Sequence, residues 1–200
     1  MSLKKLKLAQ SLQGKLGSLL SHLPVSPAQL TLSSVLFAAA GFWLSIQHQI
    51  FPSLLLFVIA GAIDALDGAL ARAKKQSSDR GAYLDGITDR LVEFLFILSF
   101  FAYPIPPFVL PAGLSLICIL FFGSAMSSFA TAYAEHRHVA DSKKIALQPG
   151  ILPRAERLML LFVSFLLIAY GPHLSGMLLF ATALLSAITF LQRAVYYYKN

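Results

Sequence analysis

Six long apolar stretches, at about 28–47, 50–73, 80–103, 107–134, 155–171 and 174–196, constrain this chain more than any other feature. Each approaches the roughly 20 mostly apolar residues that a helix needs to cross a bilayer. A segment in hydrocarbon must satisfy its own backbone hydrogen bonds, so these stretches are expected to be helices. The breaks between them (HQIFP, the charged run 72–80, YPIPP, 135–154 and YGPH) are too short for a soluble domain. One domain over 1–200 is therefore expected. Composition agrees, because 57% of the residues are hydrophobic and only 12% charged, against about 25% charged in soluble domains. So few charges cannot cover a water-facing surface, which argues against a soluble enzyme, a disordered chain and a coiled coil. The fold expected is all-α, a six-transmembrane-helix bundle over 28–196 with an N-terminal amphipathic interfacial helix over 1–23.

The charges orient the chain. Lys and Arg number 16 against 9 Asp and Glu, giving a net charge of +7. The breaks after the first, third and fifth stretches contain no Lys or Arg, while all such residues lie in or near the other segments. By the positive-inside rule both termini and the charged breaks are expected on the cytoplasmic side, and the membrane expected is the cytoplasmic (plasma) membrane. The basic excess then serves orientation and contact with anionic headgroups, and no nucleic-acid partner is implied. In the first segment Leu8, Leu12, Leu16, Leu19 and Leu23 recur at helical steps among Lys4, Lys5, Lys7 and Lys15. That pattern suits a helix lying in the interface, and the lysines interrupt what a signal peptide would keep apolar.

The acidic residues carry the chemistry. Six of the nine fall between 64 and 93, and four are ordered. Asp64 and Asp67 share a face at the end of the second stretch, which Gly68, Ala71 and Arg72 continue, while Gly81, Asp85 and Asp89 recur at four-residue steps on the third. An antiparallel helix pair would bring both faces together. Each unpaired carboxylate within a bilayer costs at least about 2.5 kcal/mol. Arg72 alone cannot neutralise four, whereas two divalent cations balance them charge for charge. Oxygen-only ligands favour Mg²⁺ or Mn²⁺ over zinc, and hard cations suit a phosphate-bearing substrate. Gly68 and Gly81 weaken a helix by about 1 kcal/mol each but leave the backbone bare toward a bulky ligand. The bland alternative is that these acids merely pair with nearby Arg and Lys.

The spacing D-x2-D-G-x2-A-R-x8-G-x3-D-x3-D is met at every fixed position from Asp64 to Asp89. It resembles the signature of the CDP-alcohol phosphotransferase family, whose six-helix membrane fold the hydropathy profile also resembles. The resemblance implies that Asp64, Asp67 and Asp85, with Asp89 close by, ligate two Mg²⁺ or Mn²⁺ ions. It implies that Gly68, Ala71, Arg72 and Gly81 line the nucleotide site of a CDP-linked lipid, and that Asp89 is the general base. An acceptor alcohol would attack the β-phosphorus and CMP would leave. Family members often carry a Pro-Asn pair before the first span, where this chain has Pro27-Ala28-Gln29-Leu30-Thr31, with Thr31 as a further nucleotide contact. The family is often dimeric, so a homodimer among membrane lipids is expected.

For the acceptor, the segment Gly150-Ile-Leu-Pro-Arg154-Ala-Glu156-Arg157-Leu is similar to the branch that makes phosphatidyl- or archaetidylinositol phosphate. Arg154, Arg157 and Arg193 would then bind an anionic acceptor such as inositol phosphate. That branch usually carries K-A-R-A-E where this chain has Thr131-Ala-Tyr133-Ala-Glu135, with Lys143 and Lys144 as substitute cations. Glycerol phosphate, serine and inositol therefore stay open as acceptors. A rival of another class is a cation-coupled transporter, whose carboxylates sit near the midplane, whereas these cluster toward one face.

Overall fold

The computed structural model describes residues 25–139 and 150–199. Among them every regular element is helical: α1 Pro27–Ile46, α2 Ile50–Ala73, α3 Asp79–Ser99, α4 Ala112–His136, α5 Arg154–Tyr170 and α6 Pro172–Lys199. The interfacial helix expected over 1–23, and Lys143 and Lys144, lie outside the described residues.

Helices α1, α2, α4 and α6 are long and apolar enough to cross a membrane, and the chain is an integral membrane protein. Helices α3 and α5 occupy the other two expected stretches but fall short of that description. The reason lies in their composition. Helix α3 carries Asp79, Arg80, Asp85, Asp89, Arg90 and Glu93, and α5 has only 17 residues and opens with Arg154, Glu156 and Arg157. The fourth stretch also begins later than expected, at Ala112 rather than 107. Pro104, Pro106, Pro107 and Pro111 precede it, and a residue without a backbone N–H cannot donate to a helical ladder.

Local signals set most helix ends. Ser26 and Gln29 form a reciprocal capping box at the start of α1, with Pro27 in its first turn. Helices α1, α2 and α4 end alike, on His48, Lys75 and His138 at φ 58°, 55° and 57°. The next residue in each case bonds back five positions: Gln49 N to Leu44 O at 3.0 Å, Gln76 N to Ala71 O at 2.9 Å and Val139 N to Ala134 O at 2.9 Å. Glycine usually fills this left-handed position.

The chain forms two compact units that divide after Ser99. In the first, α1 packs along both α2 and α3, which touch each other sparingly. Small residues allow the close approach, as is usual where lipid removes the hydrophobic drive between helices. A Cβ at Gly41 would stand 3.1 Å from the Phe57 ring. Phe57 packs on Phe96 with centroids 4.7 Å apart, and the buried hydroxyls of Ser45 and Ser53 lie 3.0 Å apart.

The second unit is built on α6, which packs against α4 and α5. Helix α4 widens into a π-helical stretch over Ile119–Met126. There Gly123 lies against the buried Arg157, and a Cβ at 123 would meet Arg157 Cδ at 2.8 Å. Phe165 makes edge contacts with Phe100 and Tyr103 at 4.9 and 5.6 Å. Residues leading into α5 hang from α6: Leu152 N donates to Thr189 Oγ1 at 3.0 Å and Ile151 N to Gln192 Oε1 at 3.1 Å.

Candidate metal and nucleotide site

Asp64 and Asp67 sit three residues apart on α2, and Asp85 projects from α3, so the helical period places all three in the gap between those helices. One carboxylate oxygen from each lies within 4.8 Å of the others. Asp67 is 4% exposed, and one buried oxygen of Asp64 has no hydrogen-bond partner among the described residues. Three carboxylates at such separation repel one another strongly where water is scarce. An orphaned oxygen inside the cluster is the arrangement a cation completes, and the all-oxygen donor set suits Mg²⁺ or Mn²⁺. The residues therefore fit the ion implied by the sequence. Asp89, one turn beyond Asp85, is outside this trio but has its carboxyl beside that of Asp64.

A cavity of about 200 Å³ opens beside the trio, within the first unit. Gly68, Ala71, Arg72 and Gly81 line it, together with Asp67, Asp85 and Thr31. Arg72 is exposed and reaches back along its own helix, so that a Cβ at Gly68 would stand 3.6 Å from its Nη1. Glycine at 68 thus keeps a guanidinium and a bare backbone side by side. Thr31 is 5% exposed and bonds the Asp67 carboxylate.

Some of the lining was not anticipated. Pro27 and Ala28 contribute from the first turn of α1, and Gln76, Ser77 and Ser78 from the turn between α2 and α3. That turn fills the eight-residue spacer of the motif, and its polar composition was the available signal. Ser78 Oγ accepts from Gly81 N at 3.1 Å, which starts α3 and fixes where Asp85 falls. Lys74 Nζ donates to Val25 O at 2.7 Å and ties the start of α1 to the end of α2.

The arginines expected at the acceptor belong to the second unit. Arg157 is 3% exposed against Gly123. Arg193 is half-buried, with Nη1 3.5 Å from Ser127 O and its guanidinium beside Gly150. Arg154 is half-buried at the first turn of α5. Where the inositol phosphate branch usually has two cations, Thr131 accepts from Tyr197 Oη at 3.3 Å and Tyr133 stacks on Phe129 at 5.3 Å.

Helical among its described residues, the chain sets three converging carboxylates beside a glycine-floored cavity, an arrangement suited to metal-dependent transfer of a phosphate-bearing group. The profile of CDP-alcohol phosphatidyltransferases matches residues 24–190, and this chain belongs to that family. It is 32% identical over 193 residues to an archaetidylinositol phosphate synthase of Pyrococcus horikoshii, covering 94% of this chain and 90% of that one. It is 28% identical over 197 residues to a phosphatidylinositol phosphate synthase of Corynebacterium glutamicum, covering 94% and 85%. Among solved structures, the phosphatidylinositol phosphate synthase of Mycobacterium tuberculosis with CDP-DAG bound superposes with a TM-score of 0.76 at 22% identity, covering 94% of both chains. The same enzyme with manganese and citrate gives 0.75 at 21% identity, covering 93% and 88%. The fold is shared with these.

Proposed function

We propose that this chain transfers a phosphatidyl-type group from a CDP-linked lipid to inositol phosphate and releases CMP. The observation that carries the reading is the convergence of Asp64, Asp67 and Asp85 beside a cavity floored by Gly68, Ala71 and Gly81. Mg²⁺ or Mn²⁺ bound by Asp64, Asp67 and Asp85, two ions with Asp89 close by, would neutralise the pyrophosphate and the leaving oxygen. The chain's own residues do the rest. Gly68, Ala71 and Gly81 let the nucleotide approach the backbone, and Arg72 contacts phosphate. Asp89 takes the proton of the acceptor hydroxyl as its oxygen bonds the β-phosphorus. The bond from that phosphorus to the bridging oxygen breaks, and CMP departs with the electron pair. A positioned base contributes about 10²–10⁴-fold.

Inositol phosphate is supported by the two relatives named above, both synthases of inositol phosphate lipids that match nearly the whole chain, and by Arg154, Arg157 and Arg193, which supply charge for an anionic acceptor. The charge asymmetry of the sequence supports six spans within one domain, with the aspartates and both termini on the cytoplasmic side. A homodimer is part of the same reading.

The acceptor is tested by CMP release from a CDP-lipid with one alcohol at a time: inositol phosphate, inositol, glycerol phosphate or serine. The expected outcome is release with inositol phosphate, and preference for another alcohol overturns that choice. Arg154→Ala should raise the acceptor KM and leave the CDP-lipid KM nearly unchanged. A uniform fall in turnover with every acceptor removes Arg154 from the acceptor site.

A further inference from the structure

Helix α1 supplies no carboxylate to the cluster, yet it reaches it. Thr31 Oγ1 bonds Asp67 Oδ2, and it also lies 3.0 Å from the Pro27 carbonyl. Both Thr31 and Asp67 are at least nine-tenths buried, at 5% and 4% exposure. A hydroxyl has one proton and two acceptors compete for it here. An ionised carboxylate is the stronger acceptor, because charge-assisted hydrogen bonds are roughly twice as strong as neutral ones. So whenever Asp67 is ionised, the Thr31 proton is drawn to it and away from Pro27.

That bond has a consequence for the ligand. A carboxylate on a helix can rotate about its side-chain torsions, and only some orientations aim an oxygen at Asp64 and Asp85. Thr31 engages Oδ2 from the neighbouring helix and limits that rotation. Threonine is itself stiff at its first torsion, more so within a helix. Partners of this kind orient metal ligands, and their removal typically costs about 10–100-fold in metal affinity.

We propose that Thr31 is a positioning residue for the metal site, holding the Asp67 carboxylate for a divalent cation rather than recognising the nucleotide. The proposal rests on the reading of Asp64, Asp67 and Asp85 as cation ligands.

The test is Mn²⁺ binding by the purified full chain without nucleotide, lipid or acceptor, read by the electron paramagnetic resonance of free Mn²⁺. Thr31→Val keeps the shape and removes the hydroxyl, and should weaken Mn²⁺ binding about 10–100-fold. Thr31→Ser keeps the hydroxyl and should stay close to wild type. At saturating Mn²⁺ the KM for a CDP-lipid should be little changed by Thr31→Val. Unchanged Mn²⁺ affinity in Thr31→Val, with a raised CDP-lipid KM at every Mn²⁺ concentration, would overturn the proposal and make Thr31 a nucleotide contact. Should Thr31→Val not fold, Thr31→Ala is measured in its place and must weaken Mn²⁺ binding relative to Thr31→Ser, with equality overturning the proposal. A wild-type chain that binds no Mn²⁺ would remove the cation reading itself, an outcome distinct from equal binding by wild type and variant.

Discussion

At the scale of single residues, Asp89 and Gly123 make the sharpest claims. Asp89 stands apart from the three-carboxylate group while keeping its carboxyl beside Asp64. In the proposed reaction that placement puts Asp89 beside the cation ligands, within reach of the acceptor hydroxyl whose proton it takes. Asp89→Asn should cost at least about a hundredfold in turnover, with CDP-lipid binding retained in a filter or calorimetric assay. Equal loss of binding would make Asp89 an essential ligand instead. The convergence of Asp64, Asp67 and Asp85 was legible in the sequence because steps of three and four residues on a helix admit one face. The Thr31–Asp67 bond was not legible, since it joins residues 36 apart through the packing of α1 on α2. No local signal encodes that register. Gly123 was silent for the same reason: its meaning comes from Arg157 on another helix. Gly123→Ala places a methyl 2.8 Å from Arg157 Cδ, and overpacking of this kind costs about 1–3 kcal/mol. A lowered thermal midpoint in detergent checks it, and an unchanged midpoint would mean that Arg157 yields freely.

At the scale of elements, composition explains which helices were seen whole and which were not. Helices α1 and α2 match the expected stretches within a residue because the capping box at Ser26 and the polar turns at 47–49 and 74–78 punctuate them. The start of α4 was expected five residues early, because apolar content alone does not register that prolines withhold donors. Its π-helical stretch has no signature in periodicity. The turn after α2 offers a test. Lys75 occupies the left-handed region at φ 55°, a conformation that costs a residue with a Cβ about 1–2 kcal/mol. Part of that is offset by the greater unfolded-state freedom of glycine. Lys75→Gly should therefore raise the thermal midpoint by the equivalent of about 0.5–1 kcal/mol, and a lowered midpoint would show that the Lys75 side chain has a stabilising role outweighing the strain.

For the whole molecule, the account joins membrane orientation to chemistry. The fold class was legible because hydrocarbon admits few alternatives to helices. The number of spans was harder to read. Helix α3 must hold Asp85 and Asp89, and those charges dilute the apolar signal of the element that carries the site. Orientation is tested with single cysteines after Cys118, the one cysteine of the sequence, is replaced by Ala. Asp79→Cys should react with an impermeant maleimide only in inverted vesicles, and His173→Cys only in right-side-out vesicles. The opposite pattern would reverse the proposed sidedness.

The central claim is that the carboxylates on α2 and α3 drive transfer from a CDP-linked lipid. It is tested most directly by CMP release from purified chain supplied with Mg²⁺, a CDP-lipid and inositol phosphate, in wild type and Asp89→Asn. The account predicts release by wild type that stops on chelation and falls at least about a hundredfold in Asp89→Asn. Equal release by both proteins, or release that persists without a divalent ion, would contradict it.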